Sequence, residues 1–158
     1  MKMTPGRFGR VFGVGPLGLL ISLTLLSVVG WLNEQFNLPP IAKNEDVLGA
    51  FFSISCLVAL AILFWGSKSL RQEERGNALC TSGPYRFVRH PRYAAFLSIF
   101  NFGLAIYLNS YLFILWAVLL HPIWHYLVGF EERRMIDTFG ESYIEYQKKT
   151  GRFFPKLS

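Results

Sequence analysis

Cysteine, histidine and acidic residues are scarce in this chain of 158 residues, and long stretches of it carry no charge. The two cysteines, Cys56 in an apolar run and Cys80 in a polar segment, are too few for a disulfide framework or a cysteine-based zinc site. Only 10 Asp and Glu stand against 16 Lys and Arg, while apolar residues make up 52% of the sequence. These proportions argue against a disulfide-rich or ordinary soluble domain.

Three uncharged runs, at residues 11–32, 47–65 and 111–130, are long enough to cross a membrane. A fourth, at residues 93–108, is shorter, with about 24 Å of helix. We therefore expect an all-α fold, a polytopic helical bundle with about four transmembrane helices in a single membrane domain over residues 1–158. Residues 1–75 would contain two N-terminal spans and a connecting helix. Residues 81–158 would form a hairpin of two spans, a short amphipathic helix and a tail.

Basic residues are concentrated in three segments: the N-terminal tail, residues 66–92, and the chain after residue 130. An even number of spans places all three on one side, which the positive-inside rule makes cytoplasmic, together with both termini and the candidate site residues described below. Topology thus explains the net charge of +6, and no nucleic-acid partner is expected. The expected partner is the lipid bilayer, of the inner or plasma membrane if the chain is bacterial. Oligomeric state is left open.

The N-terminus favours an uncleaved first span over a secretory signal, because no small-residue cleavage site follows Lys2, Arg7 and Arg10. Asn33 is a plausible end for this first helix. The segment 67–75 is expected to be helical, with a break at Gly76.

The most unusual segment is the polar block at residues 82–93, SGPYRFVRHPRY, which lies between two apolar stretches. Pro91 suits the first turn of a helix, where its missing N–H has no consequence. The third span would then begin near residues 90–92, with Arg89, His90 and Tyr93 at a helix N-terminus that favours an anionic ligand. An interfacial belt of aromatic and basic side chains is the alternative interpretation.

Asn109 and Ser110 form too short a connection for anything but a tight turn, so the third and fourth spans are expected to form a hairpin. Its open ends would bring the block at 82–93 beside Glu131 and Glu132, where the fourth apolar run ends. Two carboxylates beside a basic cluster suit a ligand with both an ammonium and a carboxylate group. A solvated helix end is an equally good interpretation of the glutamates alone.

Two further patterns favour ordinary packing. Gly13, Gly15 and Gly18 fit G-x-G-x-x-G, but no strand precedes them, so close helix packing is expected and not dinucleotide binding. His121 and His125 lie one helical turn apart without a convincing third ligand, so no metal site is predicted.

The C-terminal region predicts a helix break near Gly140 and then a short amphipathic helix with Tyr143 and Tyr146 on one face. The apolar tail at residues 151–155 is expected to dock against the bundle.

The two polar blocks together resemble the signature of the isoprenylcysteine carboxyl methyltransferase family, a group that includes membrane phospholipid N-methyltransferases. Residues 83–93, GPYRFVRHPRY, resemble G-P-Y-R-x-x-R-H-P-x-Y. The second block has the pattern of the family's C-terminal motif in Glu131, Glu132, Met135, Phe139, Gly140, Tyr143, Tyr146, Arg152, Phe153 and Pro155. The resemblance covers residues 81–156. It departs from the family at Ala94 and Ala95, where glycine is frequent, and at Met135, where leucine is usual.

This resemblance implies an integral-membrane methyltransferase that uses S-adenosylmethionine and acts on a lipid-like or lipidated substrate. The cofactor-binding residues that it implies are Tyr85, Val88, Arg89, His90, Pro91, Tyr93, Glu131 and Glu132. His125 joins them because it lies seven residues before Glu132, on the same helix face. The catalytic residues implied near the acceptor are Arg152 with Glu141 or Glu145.

The leading functional prediction is O-methylation of a prenylcysteine-like carboxylate, which needs no base and which Arg152 could hold by two hydrogen bonds. N-methylation of an aminophospholipid would need a proton acceptor, for which Glu141, Glu145 and His125 are candidates. S-methylation of a small thiol is a third possibility. Outside enzymes, the same arginines could bind anionic lipids in a membrane protein without catalytic activity.

Overall fold

The computed structural model describes residues 13–72 and 78–156, and its regular structure is helical. The long helices are α1 (Gly15–Phe36), α2 (Glu45–Gln72) and α4 (Tyr111–Phe139), and a short helix, α5 (Glu141–Lys149), follows them. Helix α3 consists of three consecutive segments: Pro91–Ala94 and Asn101–Tyr107 are α-helical, and Ala95–Phe100 between them is π-helical. Apart from one isolated bridge, the described residues contain no β structure. The expected all-α class is confirmed.

Three of these helices, α1, α2 and α4, are long and apolar enough to span a membrane. Helix α3 covers residues 91–107, about 26 Å at 1.5 Å per residue, and falls short of a hydrocarbon core of about 30 Å. Three candidate spans are thus present among the described residues. The fourth, shorter span that the sequence led us to expect corresponds to α3, which packs against α2 and α4 and runs from near Gly66 of α2 to the Ala42 loop; its crossing of the membrane stays a prediction.

Several helix ends differ from the sequence-based expectation. Helix α1 continues past Asn33 to Phe36 and ends at Asn37, which has a left-handed backbone with φ of 46°. Helix α2 runs without interruption through the predicted connecting helix as far as Gln72. Helix α4 extends to Phe139, so the two glutamates lie well inside it and not at its end. The break predicted at Gly76 and the basic residues at positions 2–10 lie outside the described residues.

Helix α1 runs antiparallel to α4, and small residues of α1 let it pack closely against tryptophans of α4. A Cβ atom on Gly18 would lie 2.5 Å from Cζ2 of Trp124, so only glycine allows this approach. The indole N–H of Trp124 donates to the Ser22 hydroxyl at 3.0 Å, and that of Trp116 donates to the Ser22 carbonyl at 3.3 Å. Two buried indole donors thereby find acceptors within an apolar interface. The close packing predicted for the glycines is confirmed at Gly18.

The turn between α3 and α4 is short and tied to the loop after α1. Asn109 has a φ of 58°, and its amide accepts from the Ala42 N–H at 3.0 Å and donates to the Ala42 carbonyl at 2.9 Å. The Ser110 hydroxyl accepts from the N–H of Leu112 and caps α4. The predicted hairpin of α3 and α4 is confirmed. Its open end, where α3 begins and the C-terminal part of α4 lies, is at the end of the molecule opposite to this turn.

The apolar core lies mainly between α1, α3 and α4. Its buried members are Leu97, Ala105, Phe113, Trp116, Ala117, Leu120, Trp124, Val128 and Phe153. Large apolar side chains remain exposed along α1 and α2, Leu20 and Phe64 among them, as a lipid-facing surface requires. Phe153 reaches the core from the C-terminal tail, so the expected docking of that tail is confirmed.

Helix α5 turns back against the end of α4 through Gly140, whose φ of 57° lies in the left-handed region that favours glycine. Tyr143 and Tyr146 lie on the buried face of α5, as the spacing of three predicted. Gly140 therefore sets the direction in which α5 and the tail approach the bundle.

Candidate active site

The carboxylate of Glu132 joins the two polar blocks of the sequence. It is only 3% exposed, and its Oε1 accepts a hydrogen bond from Nε of Arg89 at 2.7 Å. Its Oε2 accepts from Nε of Arg152 at 3.1 Å and also from Nη2 of the same guanidinium. The amide of Gln147 donates to Oε2 at 3.4 Å. One buried carboxylate thus holds two guanidinium groups from distant parts of the chain.

Glu132, Arg89 and Arg152 together are called the junction below. The C-terminal tail adds backbone hydrogen bonds to this junction. The N–H of Arg89 donates to the carbonyl of Gly151 at 2.9 Å, and the N–H of His90 donates to the carbonyl of Arg152 at 3.1 Å. Nη1 of Arg89 reaches the carbonyl of Thr150, the last residue before the tail. The sequence led us to expect an anionic ligand beside these arginines; in the structure they face Glu132 of the same chain.

Glu131 points in a different direction from Glu132, because successive residues of an α-helix are rotated by about 100°. Its Oε2 accepts hydrogen bonds from the Tyr93 hydroxyl at 3.0 Å and from the N–H of Val14 at 3.2 Å. Its Oε1 receives no hydrogen bond from the described residues and lies 4.0 Å from Nδ1 of His90. The side chain is 25% exposed. Glu131 therefore keeps a carboxylate oxygen available to a ligand.

Aromatic rings pack beside the Glu131 carboxylate. The rings of His90 and Tyr93 are stacked, with centroids 5.6 Å apart and planes inclined by 10°. Trp124 packs against Tyr93 at a centroid distance of 5.0 Å. Nε2 of His90 is buried and lies 3.3 Å from Oε1 of Glu132, without the geometry of a hydrogen bond to any described residue. His90 therefore lies against the same buried carboxylate as Arg89 and Arg152.

A cavity of about 200 Å³ lies on the outer side of the Glu132 junction. It is lined by His125, Tyr126, Gly129, Phe130, Arg133 and Arg152. Nη1 of Arg152 donates to the carbonyl of His125 at 2.8 Å, so Arg152 forms the wall between this cavity and Glu132. A guanidinium has five N–H groups. In Arg152 one N–H on each of Nε, Nη1 and Nη2 donates to a described partner, so one N–H on Nη1 and one on Nη2 remain for a ligand.

Helix α5 contacts the polar block at residues 82–93 through a tyrosine. The Tyr146 hydroxyl donates to the carbonyl of Tyr85 at 2.5 Å. Burial raises the pKa of Tyr146 above its ordinary value, and it does the same for the pKa of Tyr143. Both hydroxyls therefore remain protonated and can act as donors at any physiological pH.

The structure separates the predicted cofactor-binding residues into two groups. Arg89, His90, Tyr93, Glu131 and Glu132 converge at the junction. The remaining four lie around it: Tyr85, Val88 and Pro91 are buried in the framework, and His125 is exposed beside the cavity.

The predicted catalytic residues are also divided. Arg152 lies at the junction, between Glu132 and the cavity. Glu141 and Glu145 lie four residues apart on the exposed face of α5, opposite its tyrosines. Glu145 is paired with Lys148 at 2.6 Å, and this contact lowers the pKa of its carboxyl. The structure does not bring these two glutamates to Glu132.

Comparison with known proteins identifies the family. Residues 46–142, more than half of the chain, match the family model described as phospholipid methyltransferase. The chain belongs to this family. The matched segment begins at the start of α2 and ends just after the start of α5, so it includes Arg89, His90 and both glutamates of α4.

Two curated relatives of the chain bear related names. It is 28% identical over 120 residues to protein-S-isoprenylcysteine O-methyltransferase B of Arabidopsis thaliana, covering 75% of this chain and 57% of that protein. It is 29% identical over 87 residues to the protein-S-isoprenylcysteine O-methyltransferase of Schizosaccharomyces pombe, covering 54% of this chain and 36% of that protein. The match thus spans little more than half of the first relative and about a third of the second. No solved structure matches the chain.

Sequence reasoning missed several contributors to the junction. Gln147 and Thr150 contact it through an amide and a carbonyl, which no motif marks. Val14 contacts Glu131 through its backbone N–H, a group that every residue except proline has. The only sequence signal there was the pair of glycines around Val14, which we interpreted as helix packing alone.

Proposed function

We propose that the protein transfers a methyl group from S-adenosylmethionine to the carboxylate of a prenylcysteine-like, membrane-held acceptor. One observation carries this proposal: the buried Glu132 joins the two family motifs and leaves Oε1 of Glu131 and two N–H groups of Arg152 without partners among the described residues. The carboxylate oxygen suits the ammonium group of the methyl donor, and the guanidinium suits the carboxylate of the acceptor. The names of the curated relatives agree with this acceptor class.

The side chains around Glu131 have the chemistry that S-adenosylmethionine requires. Its amino acid part carries an ammonium group, for which Oε1 of Glu131 is a suitable acceptor. Its sulfonium is a cation, and the aromatic rings of His90 and Tyr93 lie beside that carboxylate, in surroundings that favour a cation. These residues fit the cofactor.

Arg152 is the residue best suited to hold an acceptor carboxylate. It lines the cavity of about 200 Å³, and its planar guanidinium can direct its remaining N–H groups at two oxygens. Tyr126 and Phe130 line the same cavity and are in edge-to-face contact, with centroids 5.0 Å apart. Their apolar surface suits the lipid part of the acceptor. The cavity thus combines a cationic end with an apolar wall.

The bound cofactor would supply an electrophilic methyl group, so the protein has to align the acceptor and exclude water. An oxygen of the acceptor carboxylate forms the new bond to the methyl carbon while the carbon–sulfur bond breaks, and the electron pair of that bond stays on sulfur. No proton moves. This agrees with the exposed positions of Glu141 and Glu145, which leave the junction without a dedicated base on α5. Arg152 would orient the acceptor, with its own position fixed by Glu132.

The description of the matching family model supports a second candidate, N-methylation of an aminophospholipid. That reaction needs a neutral amine and therefore a proton acceptor. Among the cavity residues His125 has the required chemistry, since its ring is exposed there. The guanidinium of Arg152 is the argument against this candidate, because a cation beside the cavity disfavours an ammonium group.

Methyl transfer with a labelled donor tests both candidates. Purified protein in lipid nanodiscs is incubated with S-adenosylmethionine labelled in its methyl group and with either an S-prenylated, N-acylated cysteine or phosphatidylethanolamine. We expect label in the prenylcysteine, released as methanol by mild base, because the product is an ester. Base-stable label in phosphatidylethanolamine would select the second candidate. Label in neither acceptor, together with no binding of S-adenosylhomocysteine in calorimetry, would contradict both.

A further inference from the structure

The first turn of α1 contacts the open glutamate, although it lies outside the family match. The N–H of Val14 donates to Oε2 of Glu131 at 3.2 Å, a contact between residues 117 positions apart. The family match begins at residue 46, after the end of α1. Neither of the two sequence motifs includes this turn. Nothing in the family comparison therefore assigns a role to the start of α1.

Gly13 lies so close to Glu131 that any side chain at position 13 would displace the Glu131 carboxylate. Its φ is 56°, in the left-handed region. A Cβ atom at this position would lie 2.8 Å from the carboxyl carbon of Glu131 and 3.0 Å from the Tyr93 hydroxyl. Gly15, two residues on, passes Tyr93 at ordinary van der Waals distance, with its Cβ position 3.6 Å from the ring. The backbone of residues 13–15 therefore covers one side of the carboxylate.

Electrostatics favours the same contact. The first N–H groups of a helix have no intrahelical acceptor and carry a partial positive charge. The first turn of α1 contains no acidic residue, and no side chain of its own caps it. Glu131 of α4 supplies the missing acceptor. The Tyr93 hydroxyl donates to the same oxygen, so two donors fix Oε2 and turn Oε1 toward His90.

Trp124 links the contact between Val14 and Glu131 to the packing of α1 on α4. Its ring fills the space above Gly18, its indole N–H donates to Ser22, and its other face packs against Tyr93. The register of α1 on α4 and the position of Tyr93 therefore depend on one side chain. A change in that register would also move Val14 relative to Glu131.

We propose that the turn at residues 13–15 is a positioning wall of the methyl-donor site, which holds the Glu131 carboxylate so that Oε1 faces the ammonium group of the donor. This inference rests on the proposed function. It assigns to the first helix a part in donor binding that neither motif contains. The acceptor side is independent of it, because Arg152 is fixed by Glu132 and His125.

Three glycine variants of the full chain test the proposal. Gly13→Ala adds a Cβ and strains the backbone, whereas Gly13→Asn adds the same Cβ in a residue that tolerates the left-handed region. Gly30→Ala, also on α1, is the matched control, because nothing lies within 4 Å of its Cβ position. The measurements are the affinity for S-adenosylhomocysteine by calorimetry, the melting temperature, and KM and kcat with both substrates.

Both Gly13 variants are expected to bind S-adenosylhomocysteine about tenfold more weakly than Gly30→Ala, the loss that follows from one displaced hydrogen bond to a charged group. KM for the methyl donor should rise while kcat and KM for the acceptor stay close to those of the control. A purely structural role would instead lower the melting temperature and change both KM values. Should the Gly13 variants fail to fold, Val14→Pro removes the donating N–H near the start of the helix, where proline is tolerated, and should weaken binding in the same direction.

The outcomes separate this inference from the proposed function. If the wild-type chain binds S-adenosylhomocysteine and Gly13→Asn binds it equally well, the turn is no part of the site and the inference is overturned. The same holds if only Gly13→Ala loses affinity, since backbone strain alone would then explain the loss. If the wild-type chain itself fails to bind, the proposed function is contradicted first.

Discussion

Nε of Arg89 lies 2.7 Å from Oε1 of Glu132, and this contact joins the segment just before α3 to the C-terminal half of α4. The two residues are 43 positions apart and lie at the open end of a helical hairpin. The second guanidinium, from Arg152, fastens the C-terminal tail to the same carboxylate. Glu132 is therefore a structural anion, and its neighbour Glu131 is the carboxylate open to a ligand.

Replacing the structural anion should destabilise the protein. Glu132→Gln removes the charge while keeping the shape, which leaves two largely buried guanidinium groups without a counter-ion. Breaking such a buried ion pair from one side costs about 3 kcal/mol. The melting temperature of the purified protein should fall clearly. Glu145→Gln serves as the control, because its partner Lys148 lies with it on the surface, and it should leave the melting temperature unchanged.

Removing the Tyr93 hydroxyl should weaken donor binding without unfolding the protein. Tyr93→Phe keeps the ring stacked on His90 but removes the hydrogen bond to Oε2 of Glu131. Affinity for S-adenosylhomocysteine should drop about tenfold, since a hydrogen bond to a charged group is lost. Tyr111→Phe, an exposed tyrosine at the opposite end of α4, should bind like the wild-type chain. Equal affinities in the two variants would exclude Tyr93 from the donor site.

Filling the cavity should affect the acceptor alone. Gly129 lines the cavity and has nothing within 4 Å of its Cβ position, so a side chain can start there without a clash, and the indole of Gly129→Trp should occupy the cavity. We expect kcat/KM for the acceptor to fall about tenfold or more, with unchanged affinity for S-adenosylhomocysteine. Val118→Trp, exposed on α4 away from the cavity, is the control. An unaffected Gly129→Trp would place the acceptor elsewhere.

The exposed glutamates of α5 should play no part in methyl transfer to a carboxylate. Since a carboxylate acceptor requires no base, the double variant Glu141→Ala and Glu145→Ala should retain kcat and its pH profile. Both side chains are exposed, so the melting temperature should also be retained. A loss of kcat that is restored at higher pH would instead identify one of them as a proton acceptor and favour an amine.

The fit of α1 against α4 should depend on Gly18. In Gly18→Ala the added Cβ would lie 2.5 Å from Cζ2 of Trp124, so that either the ring or the helix must shift. Overpacking of this kind costs about 1–3 kcal/mol. Gly30→Ala on the same helix meets no neighbour and should be neutral or slightly stabilising. Melting temperatures of the two variants provide the comparison, and equal values would show that α1 is held by other contacts.

The sequence by itself determined the class and the main connections of the fold. Long uncharged runs predict membrane helices because each needs only length and apolarity, and Asn109 with Ser110 leaves no room for anything but a hairpin. The hairpin then brings Arg89 and Glu132 to the same end. Pro91 at a helix start, and the tyrosines of α5 at a spacing of three, follow from local backbone chemistry.

Only the tertiary structure decided how the polar residues divide their roles. Two adjacent glutamates look alike in a sequence, but the helical rotation between them buries one against two arginines and leaves the other partly open. The extension of α4 to Phe139, the π-helical segment in α3 and the exposed positions of Glu141 and Glu145 depend on packing that no local pattern encodes. The contact between Val14 and Glu131 is of the same kind, because a backbone N–H acquires a partner only when distant helices meet.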